Sequence, residues 1–159
     1  MEKIIEKIGV YHFINYLLPG TVFITILSNI LDTKIIVDGN IFVATIEFYF
    51  AGLLASRISS VVIKPIFEKI KMVKFVPYEE YIEAIKKDSK IELLQQEGNQ
   101  FRVYIAVFLI LFFVEVYRCI LLKIFTWELV LFLSLACLFS ISYKKQVELI
   151  TKRVKHSNI

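Results

Sequence analysis

The chain has 159 residues, 57% of them apolar, and a formal net charge of +4. Soluble domains run at ~45–50% apolar, and with only five Gly and three Pro the chain is neither a disordered tail nor a turn-rich β protein. The apolar residues fall in four blocks separated by short or charged segments, which predicts an all-α membrane protein with four transmembrane helices in one domain, 1–159.

Glu2 and Glu6 spoil the positive leader of a cleavable signal, so the first block, 10–31, is expected to stay in the protein. It carries no formal charge. Pro19-Gly20 falls near its middle and reads either as an inert kink or as the break of a pore-lining helix. Asn15, one turn earlier, brings an amide able to hydrogen-bond across helices. A short loop follows, with Asp38-Gly39-Asn40 as its turn signal.

The second block, 41–63, contains Glu47 and Arg57. Ala51, Ala55 and Ser59 recur every four residues, as do Gly52, Ser56 and Ser60. Two such rows make a smooth face for helix packing within the chain or for self-association. Pro65 is expected to loosen or end this span.

Residues 64–102 read as a cytoplasmic helical hairpin. Tyr78, Tyr81, Ile82 and Ile85 form an amphipathic stripe that Asp88 breaks. Ser89 followed by Glu92 fits a capping box that opens a second short helix, and Gly98-Asn99 reads as its stop. The stripe is expected to pack on a neighbouring subunit or on the membrane surface.

The third block, 103–122, contains Glu115 and Arg118; the fourth, 127–143, has only Glu128 at its edge, between Trp127 and Tyr143 as interfacial aromatics. In the tail, 144–159, Val147, Ile150 and Val154 extend the fourth helix into water. Sixteen of the nineteen basic residues lie before the first span, around the central loop or in the tail. The positive-inside rule then places both termini and that loop in the cytoplasm, with the spans in the plasma (inner) membrane. The outer connections are too short to hold an extracellular domain.

The charges within the spans carry most of the functional signal. The apolar residues of the third span return roughly 4–8 kcal/mol on insertion, against about 5–7 for its two charges. Glu115 and Arg118 share a helix face, and Glu47 lies at a similar depth, ~9 Å at ~1.5 Å per residue. A Glu47–Arg118–Glu115 cluster is therefore feasible, either as a lock on helix register or as the lining of a water-filled path. On the cytoplasmic side Lys64, Lys69, Lys71 and Lys74, with Lys144, Lys145, Lys152 and Arg153, express the topology bias or receive an anionic partner such as a nucleotide or nucleic acid.

Cys119 and Cys137 read as packing residues, and the two histidines, His12 and His156, are far apart. No metal-ligand spacing, phosphate-binding glycine loop or nucleophile elbow is present, so neither enzyme activity nor a cofactor or metal is expected.

A first span containing Leu17-Leu18-Pro19-Gly20 and a charged helical loop ending Asn99-Gln100-Phe101-Arg102 resemble small four-span proteins of bacterial phage-defence operons, most of all the channel-forming effectors of the Hailong type. The resemblance implies a homotetrameric inner-membrane channel in antiviral defence. It would be held closed by single-stranded DNA oligomers from a partner nucleotidyltransferase and opened when infection removes them. The residues alone also allow a non-conducting anchor or sensor that recruits a cytoplasmic partner through 64–102, and a small transporter with Glu47 or Glu115 as proton carrier.

Overall fold

The computed structural model describes residues 13–33 and 40–157, and every element in them is helical. The start of the first predicted span, with His12, lies outside the described residues, as do Lys3, Lys7, Lys34 and the Asp38-Gly39 part of the turn signal. Among the described residues the α-helices are α1 (Leu18–Leu31), α2 (Ile41–Ile58), α3 (Lys64–Lys69), α4 (Tyr78–Lys87), α5 (Lys90–Leu122) and α6 (Glu128–Ser157).

Single turns of wider π winding, Phe13–Leu17 and Ser59–Ile63, lead into α1 and α3. Each lies just ahead of a proline, Pro19 or Pro65, which has no N–H for the preceding turn. The wider winding absorbs that loss, so α2 and α3 run on as one rod from Ile41 to Lys69, called the second rod after the second apolar block that it contains. Of the two expectations for Pro65, the structure shows the loosening and not the end: the winding widens ahead of it and the helix continues.

Three rods, Ile41–Lys69, Lys90–Leu122 and Glu128–Ser157, are long and apolar enough to cross a membrane. At ~1.5 Å per residue they measure about 43–50 Å, against ~30 Å of hydrocarbon. Asn15–Leu31 is a shorter apolar helix beside them. Within the most apolar window of each rod only 17–33% is buried inside the chain. Most of that apolar surface thus faces outward, as lipid or a neighbouring subunit requires.

The antiparallel pair α5–α6 forms the centre. Val103, Val107, Phe108 and Leu111 of α5 meet Phe132 and Ala136 of α6, Ile30 of α1 and Ala55 of α2. One turn further along, Ile105, Ala106, Tyr143 and Val147 pack with Ile63, Phe67 and Val73. Lys71, in the left-handed conformation at φ 57°, closes α3 with Met72 N–H on the Phe67 carbonyl and turns the chain back towards α6.

α1 and α2 cross at a reciprocal pair of glycines. A Cβ on Gly20 would lie 1.7 Å from the Phe48 carbonyl oxygen, and one on Gly52 would lie 1.8 Å from that of Tyr16. Tyr16 and Tyr49 close the crossing edge to face, 5.5 Å between centroids. The small-residue rows of α2 are thus spent largely inside the chain: Ala51, Gly52, Ala55 and Ser59 are buried, while Ser56 and Ser60 are half-buried.

The cytoplasmic-loop reading needs three corrections. α5 continues through Gly98-Asn99 without a stop, because buried Gly98 lets α6 come close, with Gln146 Cγ 3.4 Å from where a Cβ would sit. Ser89 makes no capping hydrogen bond; Asp88 Oδ1 accepts from the Lys90 N–H at 3.0 Å instead. Part of the amphipathic stripe of α4 is also covered by its own chain, although Tyr78 at its start is exposed. Ala84, with Tyr81 and Ile85 beside it, packs on Ile91 of α5 and on Ile150 and Val154 of α6.

Polar links fasten the α6 tail to this layer. Arg153 Nε donates to Asp88 Oδ2 at 2.5 Å, Lys87 Nζ reaches the Ser157 carbonyl at 3.1 Å, and Gln146 Nε2 donates to the Leu94 carbonyl at 3.1 Å. The hydrogen bond from Arg153, then that from the Lys90 backbone, hold the Asp88 carboxyl below its ordinary range. A depressed carboxyl stabilises the fold above its unfolded pKa and loses that contribution as pH falls through the folded one.

Two outcomes follow for stability. Gly20→Ala and Gly52→Ala should each lower stability by about 1–3 kcal/mol, read as thermal unfolding in detergent; unchanged melting would refute the tight crossing. Limited proteolysis of the α6 tail should accelerate in acid as Asp88 protonates, whereas Asp88→Asn should be loosened at neutral pH and lack that acid step.

Candidate functional site

Glu115 is fully buried among the apolar residues of α5. A lone carboxylate there would be strongly unfavourable, and the chain surrounds it with donors. Arg118, one turn along the same helix, donates from Nε to Oε2 at 3.0 Å and from Nη2 to Oε1 at 2.6 Å. Thr126 Oγ1 donates to Oε1 at 2.5 Å, and Cys119 Sγ lies 3.7 Å away. Arg118 Nη1 also reaches the Ile30 carbonyl at 3.3 Å, in the last turn of α1, where helix carbonyls lack partners of their own. The cluster therefore joins the end of α1, the body of α5 and the segment entering α6.

Glu47 does not join it. Arg118 is committed to Glu115 and Ile30, and Glu47 stands apart on α2, half-buried, with its Oε2 sealed from solvent and without a hydrogen-bond partner. Asn15 is buried, in the π turn ahead of Pro19 and Gly20. The feasible three-charge cluster is in fact a two-charge lock with a hydroxyl, plus a separate carboxylate. Thr126 and the Ile30 carbonyl carried no sequence signal: a loop threonine and a backbone oxygen look like any other.

The second polar assembly lies further back along α5, at Arg102. Arg102 is 8% exposed. Its Nε points to Ser59 Oγ at 3.4 Å and its Nη2 to Ser60 Oγ at 3.1 Å, where the π turn of the second rod presents both hydroxyls. The Tyr143 ring lies 6.0 Å from the guanidinium carbon. No carboxylate among the described residues lies within ion-pair distance of Arg102, the described ion pairs being Lys64–Glu68, Arg118–Glu115 and Arg153–Asp88.

Arg102 borders a cavity of about 380 Å³ between α3, α4, α5 and α6. Lys64, Gln95, Thr151, Tyr78 and Tyr81 supply its other polar groups, and Phe75 forms part of its wall. Burial, then the charge of Glu92, raises the Tyr81 pKa, so the phenol is a donor at neutral pH. Lys64 stands 5.0 Å over the Phe75 ring and 3.9 Å from Glu68.

Of the lysines singled out in the sequence, Lys64 alone reaches this cavity, while Lys69, Lys71, Lys74, Lys144 and Lys145 are exposed. Lys152 and Arg153 line a separate groove of about 490 Å³ with Asp88, where Arg153 is held by that carboxylate. Arg102 was not among the sequence candidates. Its place just ahead of an apolar span signalled topology, and only packing shows that it is buried. Among the described residues no group of three or more His, Cys, Asp or Glu could hold a metal.

The lock can be separated from a lining role by a double-variant cycle. Arg118→Leu should destabilise the protein by about 3–5 kcal/mol, since it leaves the buried Glu115 carboxylate alone; Glu115→Leu should cost less, since Arg118 is partly exposed, and the double variant should recover most of the Arg118→Leu loss. Strictly additive losses would show that the two side chains act independently.

Comparison of the chain with protein-family models, with curated proteins and with solved structures finds no match, so its function is read from its own residues.

Proposed function

We propose that the chain is one subunit of a homo-oligomeric ion channel in the bacterial inner membrane, crossing it four times and opened or closed by an anionic signal on the cytoplasmic side. The observation that carries this reading is Glu47. It sits inside an apolar rod, one of its oxygens is buried with no donor, and the faces around it are apolar and outward, with Ile46 and Phe50 exposed. A charge at the centre of an insertable helix costs about 2.5–3.5 kcal/mol, and Glu47, ~9 Å from the end of its rod at ~1.5 Å per residue, bears part of that cost. A ring of subunits that sets the accessible part of the Glu47 side chain towards a common aqueous axis hydrates it there and collects one carboxylate per subunit around the path. A single chain is too thin to enclose such a path.

Two further features suit this role. Glu115 and Arg118 satisfy each other within the chain and so can hold the helices in register while other groups meet the water. α5 and α6 run unbroken from the apolar layer into the polar one, which lets an event at the Arg102 cavity act on the spans without a flexible joint. The anchor reading keeps the exposed Tyr78 and Leu93 as a docking surface, while the Tyr81, Ala84 and Ile85 side of α4 is occupied within the chain. A tetramer, single-stranded DNA as the signal and a part in antiphage defence are what the Hailong-type resemblance adds to this proposal.

The test is current through planar bilayers containing the purified protein, with the mass of the detergent-solubilised particle measured alongside. Discrete steps from an oligomer are expected, and Glu47→Gln should lower cation conductance several-fold while leaving particle mass unchanged. Steps of wild-type size from Glu47→Gln would remove Glu47 from the path. A monomeric particle without current would overturn the channel.

A further inference from the structure

We infer that the Arg102 cavity is a phosphate site, built to take a phosphomonoester or phosphodiester oxyanion at the level where the apolar spans begin. A guanidinium is always charged at physiological pH, and burying one without a counter-ion is unfavourable. Arg102 is buried, yet the described groups that answer it are neutral, namely the hydroxyls of Ser59 and Ser60 and the face of Tyr143. Two serine hydroxyls orient the planar guanidinium and leave further N–H donors for a pair of phosphate oxygens.

The surroundings match the same chemistry. Lys64 brings a second cation to the cavity edge, Gln95 and Thr151 add neutral hydrogen-bonding groups, and the protonated Tyr81 adds an O–H donor. Glu68 beside Lys64 and Glu92 near Tyr81 are the acidic groups close by. At about 380 Å³ the cavity falls within the ~300–1,000 Å³ range of small-ligand sites. Phe75 and Tyr78 give it aromatic surface that a nucleobase or an acyl-glycerol backbone could cover.

Occupancy would bear on every rod. Arg102 belongs to α5, its serine partners to the π turn of the second rod, and Tyr143 and Thr151 to α6. An oxyanion drawing Arg102 away from the serines would loosen the link between α5 and the second rod. That consequence for gating rests on the channel reading; phosphate binding itself does not.

The chemistry has two natural sources, a free phosphate ester and a lipid headgroup, and the experiment separates them. Protein in phosphatidylcholine nanodiscs is titrated calorimetrically with inorganic phosphate and with deoxyadenosine monophosphate. A parallel preparation containing phosphatidylglycerol is examined by native mass spectrometry for retained lipid. Saturable binding of the soluble probes identifies a free ester, and selective retention of phosphatidylglycerol identifies a headgroup; either supports the site.

Arg102→Gln should weaken the binding at least tenfold and Lys64→Gln about threefold. Lys144→Gln with Lys145→Gln should leave it within twofold. If Arg102→Gln fails to fold, Lys64→Gln and protection of the wild type against thermal unfolding by the same probes decide the matter. Absence of binding in both preparations, or equal weakening by the Lys144 and Lys145 changes, overturns the site. Because no current is measured, an empty cavity and a silent bilayer are separate results.

Discussion

Hydrocarbon offers no water to complete a hydrogen bond, and three rods of this chain are long and apolar enough to lie in it. Each polar group carried into the apolar layer must find its partner within the protein. Glu115 finds Arg118 and Thr126, and Arg118 in turn takes the Ile30 carbonyl that the end of α1 leaves open. Further back along α5, Arg102 takes Ser59 and Ser60. Two arginines on one helix, ~24 Å apart along its axis at ~1.5 Å per residue, thus tie it to different neighbours. The apolar contacts between α5 and α6 supply the bulk of the packing; the polar contacts set which rotation and register are allowed.

The same constraint marks the groups left incomplete. Glu47 has a buried oxygen with no donor, and Arg102 is buried beside neutral groups only. Buried polar groups are normally satisfied, so such exceptions point to something the isolated chain does not supply. For Glu47 the proposed supply is water along a shared axis, and for Arg102 it is a phosphate. The rods extend beyond the thickness of hydrocarbon, and the second rod and α6 both border the Arg102 cavity, so the two incomplete sites belong to one mechanical unit.

Hydropathy made the helical class and three of the four expected spans legible in the sequence, while Asn15–Leu31, in the first expected span, is a shorter apolar helix among the described residues. The tail stripe Val147, Ile150 and Val154 was legible too: period 3.6 exposes which residues share a face. Partner choice was not. Glu47, Glu115 and Arg118 could be placed at comparable depths, but depth says nothing of rotation about the helix axis, and Arg118 is satisfied one turn away on its own helix. Gly98-Asn99 misled for a different reason. A glycine costs about 1 kcal/mol in a helix, a local signal for a break, and the close packing of α6 against Gly98 overrides it. Pro65 was legible as a loosening but not as to whether the helix would go on, and the π turn upstream lets it continue.

The central claim is that Glu47 faces water in the assembled protein, and thiol labelling tests it most directly. In a background with Cys119→Ser and Cys137→Ser, cysteine is placed at position 47 and, in a separate protein, at position 54 on the outward apolar side of α2. Both are exposed in native membranes to a charged, membrane-impermeant thiol reagent. If Glu47 faces an aqueous path, Glu47→Cys reacts readily while Leu54→Cys stays inert. Inert thiols at both positions, in protein shown to be folded and oligomeric, would contradict the claim and leave Glu47 facing lipid or protein.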